Sequence, residues 1–172
     1  MTIFINESGM AFGPYEVRHC FYMEKSRLYL GLGPGVQIAE FALLRNGKHG
    51  QAVWLIEAKS SSPRPGTLRD FDRFIAEITQ KMSNSVQLLM AAILERHPDT
   101  GDLSADFKAI ALKSIGFKCV LVINGHKDAW LAPLQDALVK AMRPLCKSLR
   151  LGAQAVAVMN ETTASQTGLI TV

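Results

Sequence analysis

Two runs decide the fold: Val36-Gln37-Ile38-Ala39-Glu40-Phe41-Ala42-Leu43-Leu44 and Ala52-Val53-Trp54-Leu55-Ile56-Glu57-Ala58-Lys59, on either side of Asn46-Gly47-Lys48-His49-Gly50. Both runs are rich in β-branched, aromatic and aliphatic residues. The cluster between them supplies the asparagine and glycines that reverse a chain, so the stretch reads as a β-hairpin. If Asn46 and Gln51 close the loop, Leu44 faces Val53, Ala42 faces Leu55 and Glu40 faces Glu57. Residues two apart share a face of a strand, which brings in Lys59, diagonal to Glu40. One sheet face then holds two acids side by side among apolar neighbours, with a lysine beside them.

Downstream, Ser60-Ser61-Ser62-Pro63-Arg64-Pro65-Gly66 is a loop that stops the second strand. From Thr67 to about His97 the pattern is that of a long amphipathic helix. Phe71, Phe74, Ile75, Ile78, Met82, Val86, Leu89 and Ile93 recur at three and four residues and form one stripe. Asp70 and Asp72 fall in its first turn, where the helix dipole favours acids, and His97-Pro98 ends it. After a polar connection, Phe117–Ile123 reads as a buried strand, Ala129 to Leu149 as a second helix, and Ala153 to Met159 as a final strand. Strands alternating with helices in this way pair in parallel behind an antiparallel hairpin. The expected architecture is one α/β domain over residues 1–172, a mixed β-sheet flanked by helices.

Upstream the pattern is weaker. Met1 to Pro14 contains glycines and reads as loosely structured. Tyr15 to Leu32 fits a strand by its alternation (Tyr15, Val17, His19, Phe21) or a short helix capped by Ser26, and the sequence leaves both open.

With 172 residues, 48% hydrophobic and 20% charged, the chain suits a single core and is far from a disordered composition. Its longest apolar run, Val86 to Leu94, contains Gln87 and is too short to cross a bilayer. Met1 to Gly9 carries Glu7 and no basic stretch, which does not read as a secretory signal. Three widely spaced cysteines, Cys20, Cys119 and Cys146, fit reduced core thiols and a cytoplasmic location. The net charge of +4 is uneven, for residues 101–172 hold eight Lys/Arg against five Asp/Glu.

The chemistry lies in the hairpin. Like charges opposed on a sheet are destabilising, and partly buried carboxylates are costly without compensation. A divalent cation compensates them: magnesium takes carboxylate oxygens and water and leaves room for a phosphate. Lys59, a compact movable cation, suits the orientation of a water nucleophile or the neutralisation of a pentavalent oxyanion. These residue types suit phosphodiester hydrolysis.

An acid on one strand, a turn, and a hydrophobic strand ending Glu57-Ala58-Lys59 resembles the PD-(D/E)XK nuclease superfamily, over about Ser26 to Ile123. The resemblance implies a restriction-endonuclease-like fold. It makes Glu40 and Glu57 ligands of magnesium (or manganese), the Ala58 carbonyl a further ligand, and Lys59 the catalytic lysine. It also implies an upstream glutamate, for which Glu24 is a better candidate than Glu16. The first-strand acid of these nucleases is usually Asp, and here it is Glu40. Some relatives carry a glutamine on the following helix. Gln80 is the candidate, although helix periodicity turns it away from the apolar stripe. The implied activity is an endonuclease or exonuclease acting on nucleic acid, with DNA expected before RNA. A chain this small has no separate recognition domain, so a homodimer or a partner protein is expected, and no membrane. Restriction, phage defence, repair and mobile-element maintenance are all open contexts.

Lys140, Arg143, Lys147 and Arg150 recur at three, four and three residues opposite Leu134, Leu138, Leu145 and Leu149, and suit sequence-independent phosphate contact. Arg64 and Arg69 flank the loop after Lys59 and are candidates for the same contact. Each motif has a plainer reading. A Glu-x-Lys on an exposed face is a solvated ion pair, Glu40 is an edge charge that deters aggregation, and the basic stripe is a solvated helix face near a negative dipole end. His126 and Asp128 after the buried strand read as a polar turn. The alternative to an enzyme is a catalytically inactive protein of the same fold, serving as a nucleic-acid-binding or assembly module.

Overall fold

The computed structural model describes residues 1–48 and 50–171. At its centre is the expected hairpin. Strand β4 (Phe41–Gly47) pairs antiparallel with β5 (Gly50–Lys59) in the anticipated register, Leu44 opposite Val53 and Asn46 opposite Gln51. The ladder runs one pair further, to Gly47 and Gly50, so the loop is tighter than four residues. Its His49 lies outside the described residues. Val36–Ala39 does not join the ladder; Glu40 is the last residue before β4 and its N–H donates to the Ile56 carbonyl at 3.0 Å.

Strand β6 (Gly116–Ile123) lies parallel to β5, and β7 (Val156–Asn160) lies parallel to β6. The two-residue β3 (Cys20–Phe21) pairs antiparallel with β4, which completes a five-stranded mixed sheet of order β3-β4-β5-β6-β7. Parallel neighbours need long crossovers, and two helices make them: α2 (Leu68–Ile93) between β5 and β6, and α4 (Asp128–Ser148) between β6 and β7. Both cover the same face. Ile75, Ile78, Met82 and Leu89 of α2 and Leu134, Leu138 and Met142 of α4 bury against Leu55, Leu121 and Ile123. Only Asp70 falls in the first turn of α2. The connection after α2 contains a one-turn helix, α3 (Ala105–Lys108), anchored by the fully buried Phe107.

The N-terminal segment is not loose. Residues Thr2–Glu7 (β1) and Met10–Glu16 (β2) form an antiparallel hairpin whose turn, Ser8-Gly9, takes φ values of 52° and 77°. Positive φ at both central residues matches the twist of the flanking strands. The hairpin buries Ile5, Met10 and Phe12 on the second face of the sheet, against Phe41, Ile56 and Val122. A short C-terminal helix, α5 (Glu161–Gln166), packs there too, through Ala164.

Both readings of Tyr15–Leu32 hold in part. Tyr15 and Glu16 end β2, a 3-10 turn spans Val17–His19, and β3 follows. A second 3-10 turn, Met23–Lys25, leads into the single helical turn α1 (Arg27–Leu30). Ser26 caps α1: its buried hydroxyl accepts from the Tyr29 N–H at 3.2 Å and donates to the Met23 carbonyl at 2.6 Å. We predict that Ser26→Ala costs about 1 kcal/mol in chemical denaturation, the worth of an N-cap. A cost below a few tenths would show that the cap does not hold the Glu24 segment. Cys119 is buried, and Cys20 and Cys146 are partly so, all three unpaired. Among the described residues, no helix is long and apolar enough to cross a membrane.

Candidate metal centre

The register puts Leu55, Glu57 and Lys59 on the face that α2 covers, and two polar side chains of α2 meet them there. Lys81 donates to Glu57 Oε1 at 2.7 Å, and Lys59 donates to Glu77 Oε1 at 2.8 Å and stands 3.3 Å from Glu57 Oε1. Glu57 is wholly buried, yet its Oε2 has no hydrogen-bond partner among the described residues. Burial pushes its carboxyl up, against the opposing pull of Lys81 and Lys59. Burial also works to lower the Lys59 ammonium, but Glu77 and Glu57 more than offset it and leave it raised.

Glu40 is only 8% exposed, and its Oε2 is likewise buried without a partner. Its neighbours come from two further segments. Glu7, at the tip of the N-terminal hairpin, and Glu24, in the turn before Ser26, each place an oxygen near it, and the three oxygens lie within 4.8 Å of one another. Tyr22 donates to Glu7 Oε1. Burial first, then Glu24 and the charges of Glu57 and Glu7, push the Glu40 carboxyl up to about 8. The segment that carries Glu40 is fixed by α2: the Ala39 N–H donates to Ser85 Oγ at 2.7 Å, and Asn84 donates to the Gln37 carbonyl at 2.8 Å.

Two unpartnered carboxylate oxygens, each on a buried side chain, are an unstable arrangement unless something positive meets them. An all-oxygen donor set fits a hard divalent cation, and bonds of about 2.0–2.6 Å to such an ion span the triad's spacing. Glu7, Glu24 and Glu40 have the geometry for it; Glu57 is not one of that group and acts on Glu40 through its charge. Ala58 turns its methyl to the other face of the sheet, so its backbone carbonyl is its one donor.

Of the other residues expected from sequence, Gln80 is exposed and its neighbour Lys81 reaches the site instead. Glu16 is exposed and paired with Arg18. Arg64 stays at this edge of the sheet, its guanidinium 5.6 Å from the Trp130 ring centre, and Arg69 is exposed in the first turn of α2. Lys140, Arg143 and Lys147 are exposed on α4, in the half that runs back toward the start of the parallel strands, so they do not flank the carboxylates. Arg150 is not on that helix. It follows the C-cap Leu149 with a left-handed φ of 54°. His126 is buried with Nδ1 3.4 Å from Ser62 Oγ, and Asp128 accepts from Asn160, which fits the polar turn.

Sequence reasoning missed Glu7, Glu77 and Lys81. Glu77, Lys81 and Ser85 recur at four residues along α2, a polar line directly beside the apolar stripe, and that line was the available signal.

The raised Glu40 carboxyl sets a pH dependence. Below 4.5 both the folded and the unfolded chain hold its proton, and above about 8 neither does. Between those values only the folded chain holds it, so stability falls as pH rises through this window. We expect the melting temperature of the metal-free protein to drop between pH 5 and 8.5, and Glu40→Gln to flatten that drop. An unchanged slope in the variant would remove Glu40 as the source.

No family model, curated protein or solved structure matches this chain.

Proposed function

We propose that the protein is a metal-dependent nuclease, similar to the PD-(D/E)XK superfamily, that hydrolyses nucleic-acid phosphodiesters, DNA before RNA. The observation that carries this reading is the pair of buried carboxylates, Glu40 and Glu57, each with an unpartnered oxygen, and Lys59 two residues beyond Glu57. Glu7, Glu24 and Glu40 would hold magnesium or manganese, and the resemblance adds Glu57 Oε2 and the Ala58 carbonyl as further ligands. When bound, such an ion supplies Lewis-acid polarisation of a phosphoryl oxygen and a lower pKa for water beside it.

The chain's own residues do the rest. Lys59 Nζ, held between Glu57 and Glu77, would orient the attacking water and meet the charge that grows on the phosphorane. Lys81 holds Glu57 in one rotamer from the side opposite the free oxygen, and is a positioning residue. Ser85 positions Glu40 through Ala39. Arg64 and Arg69 suit phosphates flanking the scissile one. A homodimer or a partner protein would supply further recognition surface.

A second reading, a non-catalytic nucleic-acid-binding or assembly module, is favoured by the 2.8 Å bond that engages Lys59 with Glu77. The deciding experiment incubates purified protein with end-labelled DNA and RNA under magnesium or manganese, with EDTA controls. Metal-dependent cleavage supports the enzyme. Binding without cleavage of either polymer under either ion sinks it and leaves the module.

A further inference from the structure

The opposite edge of the sheet, where the parallel strands begin, carries an open groove of 890 Å³. Five cations line it: Arg45 from β4, Lys118 from β6, and Lys48, Lys113 and Arg150 from three loops. No Asp or Glu lines it among the described residues. Among the same residues, none of the five cations stands within 4.0 Å of a carboxylate. Trp54 stands in the floor beside Lys118 in the ladder, with the Arg45 guanidinium carbon 4.5 Å and the Lys118 ammonium 4.4 Å from its ring centre. Arg45 Nη2 donates to the Thr167 carbonyl at 3.0 Å, and Nη1 is buried with no partner among the described residues. Burial first, then the charge of Arg45, hold the Lys118 ammonium below its ordinary value.

Like charges converging without a counter-ion raise the free energy of the folded chain, and a multivalent anion removes that cost. Phosphates meet that demand, because Arg forks and Lys point charges each match their oxygens. The volume is that of a small-molecule site and takes several phosphates at once. We propose that this groove is a second ligand site, one that binds a run of closely spaced phosphates carried by a nucleic-acid strand or by a free nucleotide. It is separate from the carboxylates: along β5 its lining residues Gly50 to Trp54 lie three to seven residues, about 10–23 Å, from Glu57. It does not depend on whether those carboxylates cut anything. The exposed face of α4 that carries Lys140, Arg143 and Lys147 leads into the groove at Arg150 and would extend the track for a polymer.

The test is made in EDTA, so that the carboxylate site plays no part. Calorimetric titration with inorganic triphosphate and with ATP, and anisotropy of a fluorescein-labelled oligonucleotide, are measured on the natural protein and on Lys113→Glu/Arg150→Glu. Both positions are exposed loop residues, and a melting curve checks that the variant folds. We expect triphosphate binding that weakens at least tenfold in the variant. Oligonucleotide binding that triphosphate displaces, with a salt slope reduced by about 0.9 per cation lost for a duplex, assigns the phosphates to nucleic acid. Binding of ATP and triphosphate without the oligonucleotide assigns them to a nucleotide. Absence of all binding, or binding that the double charge reversal leaves unchanged, overturns the site.

Discussion

Lys59→Ala is expected to lower metal-dependent cleavage by about a hundredfold or more, the range for losing a positioned proton-handling or charge-stabilising group, while the chain stays folded. The two halves of that expectation have separate causes. Lys59 is 26% exposed, and the Glu57 oxygen it approaches keeps Lys81 when Lys59 is gone. Glu77, its other partner, is 39% exposed and returns to water at little cost. Removal therefore strands no buried charge. What it does remove is the ammonium that bridges Glu57 and Glu77. Lys59→Arg should recover little, because a planar fork cannot take the place of a point charge held between two carboxylates. Single-turnover cleavage at saturating magnesium is the measurement. Activity within threefold of the natural protein would reject Lys59 as a catalytic residue even if the nuclease activity stood.

Lys81→Met should destabilise the fold by roughly 3 kcal/mol, the low end of the range for removing one partner of a buried ion pair, because Lys59 still stands 3.3 Å from Glu57 Oε1. Here the partner left behind is Glu57, with no exposure at all and one oxygen already unpaired. Burial pushes the Glu57 carboxyl up, and Lys81 is the largest force opposing it, so its loss drives the carboxyl further up. The folded variant then holds a proton that the unfolded chain has released, and its stability falls as pH rises through that window. The deficit should be smaller near pH 5.5 than near pH 8.5, read by urea denaturation of the metal-free protein at both. An equal deficit at the two values, or one below about 1 kcal/mol, would show that Glu57 does not depend on Lys81.

The two experiments touch parts of the site that differed in how readable they were. The hairpin register was legible because a strand's side-chain period is two and a hairpin turn fixes register; one pair of turn residues carried the alignment as far as Phe41 opposite Ile56, one residue short of Glu40. The parallel half of the sheet was legible from the apolar run at 117–123 and the helices around it. Glu7 was not, because the alternation in Thr2–Glu7 is short and its glycine-containing surroundings resemble a loop until Phe12 and Ile5 are seen buried. Lys81 was missed by one residue. Each helix position turns the side chain by about 100°, so Gln80 points to water where Lys81 reaches Glu57. The α4 cations were real as an exposed stripe, but periodicity along one helix gives no information about which edge of the sheet that stripe ends on.

The carboxylates of the site come from residues 7, 24, 40, 57 and 77, one from each of five successive stretches of chain. No two of them are neighbours in sequence, so no single element carries the whole conflict: Glu40 and Glu57 approach when the central hairpin closes, and Glu7, Glu24 and Glu77 join them only when the N-terminal hairpin, the turn before α1 and the long helix dock. Most of the conflict thereby belongs to the finished structure. Such late, localised frustration leaves the folding route smooth and stores an unmet demand for positive charge at one point of the native state.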